Sequence, residues 1–149
     1  MKRWDMDCRR EVAHTRDVVA GLYRADALGG ADVRVTFATC IAYALEVYER
    51  VTESGPVDFE YYKKAPAAGF GATEEAIDCP DVRYRVVFTA SPALVDRLDE
   101  VRAEMQAALL GTGRVNRNWA VAVIFRVCID AARGSVHYAA EGGDSDVQH

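Results

Sequence analysis

From Arg83 to Ala90 polar and apolar positions alternate, with Tyr84, Val86 and Phe88 on one side of an extended chain and Arg83, Arg85, Val87 and Thr89 on the other. That period of two predicts a strand. After Ser91-Pro92, a helix cap followed by proline at the first helical position, the period changes. Leu94, Val95, Leu98, Val101 and Met105 recur at helical spacing and predict a helix from Pro92 to Leu109. Gly111-Thr112-Gly113 breaks it, and Asn116 is placed to cap a second helix that carries Trp119, Ala120, Val123, Ile124 and Val127 on its apolar stripe and fades near Gly134.

The same order occurs earlier in the chain. A shift of 82 positions pairs residues 3 to 47 with 85 to 129 without a gap, with identities that include Arg3/Arg85, Asp17/Asp99, Gly29/Gly111 and Val33/Val115. The apolar pattern is the stronger witness, since Trp4/Val86, Met6/Phe88, Phe37/Trp119, Ile41/Val123 and Tyr43/Phe125 keep their character. The first copy therefore reads as a short strand from Arg3 to Cys8, a helix from Glu11 to Arg24, a break at Gly29-Gly30 and a longer helix from Val33 to Thr52. Its strand is the less regular of the two, because Asp5 and Asp7 alternate with Trp4, Met6 and Cys8, and aspartate is a poor strand former.

The expected organisation is one compact domain with a first repeat at 1–52, a connector at 53–82, a second repeat at 83–134 and an acidic, frayed tail at 135–149. Gly55-Pro56, Ala65-Pro66 and Cys79-Pro80 punctuate the connector, which has room for a helical turn at Thr73 to Ile77.

A lone strand followed by two helices leaves its backbone groups unpaired and its apolar faces exposed. Two copies solve both problems if the strands join antiparallel. The expected fold class is thus α+β, mostly helical, with two strand-helix-helix repeats forming a two-stranded antiparallel ribbon over four helices.

The net charge of -5 is unevenly placed: residues 81 to 134 hold 8 basic and 6 acidic side chains, whereas the connector at 51 to 80 holds 2 and 6. Such a distribution permits binding to nucleic acid without requiring it. Cys8, Cys40, Cys79 and Cys128 form no CxxC pair, and His14, His137 and His149 have no ligand-spaced companions, so no metal and no cofactor is expected. Asp5 with Asp7, or Glu74 with Glu75, could be drawn as acid-base pairs, but no nucleophile or phosphate loop accompanies them, and neither an enzyme nor a small-molecule substrate is expected. The absence of a long apolar run points to a cytoplasmic protein with no membrane partner.

The strand Arg83 to Ala90, the Ser91-Pro92 helix start, the glycines at 111 and 113, and Val115-Asn116-Arg117-Asn118 at the head of the second helix together resemble the ribbon-helix-helix (MetJ/Arc) superfamily. Two copies in one chain resemble its tandem, pseudo-dimeric members, such as the overdrive-binding accessory proteins of T-DNA transfer. The resemblance implies a sequence-specific double-stranded DNA-binding protein, a repressor or a plasmid or mobile-element accessory factor, that self-associates on DNA. It further implies base contacts from Arg3, Arg85, Val87 and Thr89 in the major groove. Backbone phosphates would fall to Asn116, Arg117 and Asn118, with Arg34 and Thr36 as first-copy counterparts. Asp5 and Asp7 stand where Val87 and Thr89 stand in the second copy and would repel phosphate. The rival expectation is accordingly a non-enzymatic protein-protein interaction module on the same fold that has lost DNA binding.

Overall fold

The computed structural model describes residues 2–63, 83–109 and 115–139, with side chains described from 15 onward in the first of these segments and from 89 onward in the second. The helical turn expected at 73–77 and the glycine break at 111–113 lie outside the described residues. In chain order the elements are β1 (Lys2–Arg9), α1 (Arg10–Ala27), α2 (Phe37–Thr52), α3 (Phe59–Tyr62), β2 (Arg83–Ala90), α4 (Pro92–Ala108) and α5 (Arg117–Arg133).

β1 and β2 pair antiparallel along their whole length, from Lys2 opposite Ala90 to Arg9 opposite Arg83. Asp5 lies opposite Val87, and these are 82 positions apart, the same spacing that separates the two copies. A local two-fold axis therefore passes through that pair. The second helix of each copy then packs across onto the strand of the other, α2 against β2 and α5 against β1. This crossing interlocks the copies, because neither can leave without uncovering the other's sheet surface.

Helix limits follow local chemistry. Ser91 accepts a hydrogen bond from the Leu94 amide at 3.1 Å, Asn116 from Trp119 at 2.8 Å and Thr36 from Thr39 at 3.1 Å. α5 ends at Gly134, whose φ of 68° is one that glycine adopts without steric cost. α2 begins four residues later than its apolar pattern predicts: Thr36 is the cap, and Val33, whose carbonyl accepts from Arg24 Nε at 2.6 Å, precedes the helix.

The expectation of a ribbon over four helices is corrected by the helical layer. Five helices are present among the described residues, so helix dominates, and the four long ones do not form an equivalent set. α1 packs closely on both α2 and α5 and reaches both strands, whereas its counterpart α4 leans on α5 and only grazes α2. The chain explains this difference. β1 runs into α1 with no intervening residue at Arg9-Arg10, while Ser91 breaks direction between β2 and α4. On the looser side, α2 and α4 are joined by polar contacts, Tyr48 Oη to Glu104 at 3.1 Å and Arg97 to Glu49 at 3.0 Å.

α3 lies within what the sequence reads as a connector. Phe59 stacks on Tyr48, and both are buried. Tyr62, fully buried, donates its hydroxyl to the Asp130 carboxylate at 2.7 Å, and Arg126 holds the other oxygen at 3.2 Å. The frayed tail is also corrected at its start. Val57 bridges Tyr138, the Asp58 amide donates to the His137 carbonyl at 2.9 Å, Ala139 donates to Pro56 at 2.8 Å, and the His137 ring stacks on Tyr61 at 3.6 Å. Residues 135–139 are thus pinned to the connector.

The core is continuous and centred on α5, from which Val121, Val123, Ile124, Phe125 and Val127 are all fully buried against Ile41, Leu45, Leu98 and Met105. No described helix is long and apolar enough to cross a membrane.

Candidate functional site

The residues singled out for base contact all lie on the two paired strands. The register sets Arg3 opposite Thr89, Asp5 opposite Val87 and Asp7 opposite Arg85. Opposed residues of an antiparallel pair share a face, and so do alternate residues of one strand. The positions 3, 5 and 7 therefore belong with 85, 87 and 89 on one side of the sheet. Thr89 is exposed and the next residue, Ala90, is only 1% exposed, which identifies the Thr89 side as the outward one at this end. Side-chain placement of Arg3, Arg85 and Val87 lies outside the described residues. By position the same face also includes Arg9 opposite Arg83, so the sequence gives it four basic residues, Arg3, Arg9, Arg83 and Arg85, against the acids Asp5 and Asp7, a formal excess of two positive charges.

The predicted phosphate contacts lie at the amino ends of α2 and α5. Arg34 and Thr36 are exposed there, and the Thr36 hydroxyl both caps α2 and donates to Thr39 Oγ1 at 2.8 Å. At α5, the Asn116 side chain is committed to the Trp119 amide, while Arg117 is exposed and Asn118 half-buried. The amino end of a helix carries partial positive charge and suits an anion.

Arg117 already has one. Its Nε and Nη2 grip the two oxygens of Asp99, each at 2.8 Å, in a bidentate ion pair, and Arg102 reaches Asp99 Oδ1 at 3.4 Å. The Arg117 hydrogen bond holds the Asp99 carboxyl below the usual carboxylate range despite partial desolvation, and the same pair raises the Arg117 pKa. The Val115 amide donates to Gln106 Oε1 at 2.7 Å, and its carbonyl accepts from Arg102 at 3.4 Å, so the residues entering α5 are fastened to α4. No motif in the sequence marks Asp99, Arg102 and Gln106 as partners of the α5 entry. One signal was available: Asp99 is among the identities between the copies, yet the position matching Arg117 in the first copy is Val35, which is buried. The ion pair belongs to the second copy alone.

The thiols of Cys40 and Cys128 are buried and unlinked, and burial pushes them up to about 11 and about 12, out of the range where thiolate chemistry runs. No group of three or more histidine, cysteine or carboxylate side chains among the described residues is placed to hold a metal ion. Neither a family model nor a curated protein nor a solved structure matches this chain.

Proposed function

We propose that the chain binds double-stranded DNA sequence-specifically, with the two-stranded sheet in the major groove and the amino ends of α2 and α5 against flanking phosphates, acting as a repressor or mobile-element accessory factor. The observation that carries this reading is the register. A sheet whose central pair, Asp5 and Val87, are equivalent residues of two copies has a local dyad at its middle. Duplex DNA has a matching dyad, and a two-stranded ribbon fits the width of its major groove. Because the facing residues differ between copies, the bound site is an imperfect palindrome. The sheet spans few base pairs, so tight binding needs copies side by side on DNA.

One feature favours a second reading, a protein-binding module. Asp5 and Asp7 stand among the outward positions of the sheet, where carboxylates would repel phosphate, and Arg117 is neutralised by Asp99. Fluorescence anisotropy with labelled random duplex at two salt concentrations separates the two. DNA binding predicts affinity that falls steeply with salt, and no binding at low salt supports the protein module. Once a preferred site is selected, Arg85→Ala costs about 1 to 3 kcal/mol and relaxes preference at one base pair. An unchanged affinity and preference would remove Arg85 from the interface.

A further inference from the structure

A cavity of about 560 Å³ opens where the last turns of α1, α2 and α5 converge beneath the pinned tail. Its walls include Val47, Val51 and Val136, and its polar groups include Asp26, Tyr43 and Arg50. The volume falls within the range of small-molecule sites, as does the combination of apolar walls with a few polar groups.

The charges select the ligand. Asp26 and Arg50 are exposed, and Tyr43 donates its hydroxyl to Asp26 Oδ2 at 3.1 Å, which fixes the carboxylate in place. No described carboxylate pairs with Arg50. Asp26, Tyr43 and Arg50 also line the adjoining groove, together with Glu46, Glu49 and Glu53. A simple carboxylate ligand would meet Arg50 but also these acids. A simple amine would meet Asp26 and the carbonyl ends of three helices, which carry partial negative charge, but also Arg50. A zwitterion satisfies both groups at once.

We infer that this cavity is a binding site for a hydrophobic α-amino acid, with the ammonium on Asp26, the carboxylate on Arg50 and the side chain against Val47, Val51 and Val136. Arg50 presents a planar pair of donors suited to a carboxylate, and an apolar side chain laid against Val47, Val51 and Val136 loses contact with water on that side. The site is independent of the sheet, and its existence does not rest on DNA binding.

The test uses the full chain and L-phenylalanine as probe, read by saturation-transfer NMR and thermal shift. Phenethylamine and 3-phenylpropanoate serve as analogues lacking one charge each. Wild type binds L-phenylalanine, and each analogue binds about tenfold more weakly, the loss of one charged contact. Arg50→Gln and Asp26→Asn, both at exposed positions, each weaken L-phenylalanine about tenfold with unliganded melting unchanged. Three results overturn the proposal: no binding to wild type up to the solubility of the amino acid, equal affinity in wild type and both variants, or phenethylamine binding as well as L-phenylalanine.

Discussion

Asp99 shows how one side chain can oppose the role expected of its partner. It stabilises the fold by clamping Arg117, and in doing so it occupies the cation that a phosphate would need. Asp99 and Arg117 side chains are 29% and 46% exposed, so solvent screening limits the pair to about 0.5 to 1 kcal/mol. Because the folded Asp99 pKa is lowered, that contribution is present above its unfolded value near 3.8 and is lost as pH falls through the folded one. Asp99→Asn should therefore be less stable than wild type in urea at neutral pH, with the two curves converging as pH drops below about 4. A stability gap that persists in acid would mean Asp99 acts through packing instead. In the DNA-binding reading the same variant releases a cation at the head of α5, and affinity for random duplex rises several-fold with a steeper salt dependence.

At the level of elements, the capping residues carried most of what could be read in advance. Ser91-Pro92, Asn116 and Gly134 bound their helices because each satisfies a terminal backbone group or supplies a left-handed angle by local chemistry alone. Asn116→Ala should cost about 1 kcal/mol by denaturant unfolding, and Thr36→Ala a similar amount. A loss below about 0.3 kcal/mol would show that α4, through Gln106 and Arg102, holds the entry to α5 without the cap. What escaped the sequence was structure built by distant partners. Phe59–Tyr62 is too short for a periodic signal, and it is placed by Tyr48, 11 residues earlier, and by Asp130, 68 residues later. The start of the tail is fixed by backbone bonds to Pro56 and Asp58, which carry no side-chain signature. The candidate site divides the same way. Its strands and helix heads were marked by pattern, but Asp99 lies on a different helix from the arginine it holds, and nothing local links them. Tyr62→Phe removes one buried bond to a carboxylate and should cost about 1.5 to 3 kcal/mol. Hydrogen exchange localises the effect: faster exchange at the Asp58 and Ala139 amides with α5 unchanged identifies Tyr62 as the fastener of connector and tail, whereas uniform acceleration would assign it to the global core.

Across the whole molecule, the dyad relates backbones better than it relates surfaces. The copies share element order and strand register, but one carries carboxylates where the other carries valine and threonine. Asp5→Val with Asp7→Thr would give the first strand the outward residues of the second. If the sheet lies on DNA, the double variant binds random duplex at least about tenfold more tightly at low salt, because two charges that repel phosphate are gone. Unaltered affinity would place the DNA contact elsewhere on the protein. The asymmetry extends inward, where α1 takes a larger share of the packing than α4, so truncations on the two should differ. Leu98→Ala and Val19→Ala remove fully buried side chains from α4 and α1 respectively, and each opens a cavity whose cost tracks how far its surroundings can collapse.

Joining β1 to β2 within one polypeptide has a further consequence during translation. The partner of Lys2 is Ala90, so a ribosome elongating at about 5 to 20 residues per second holds the first strand without its mate for several seconds at the least. Throughout that interval the nascent first half carries an open edge, and on crowded polysomes that edge is a template for the wrong neighbour. Like charges directly opposite one another destabilise a strand pair, so registers that set Asp5 or Asp7 of one such strand against the same acids of another would be disfavoured during the wait.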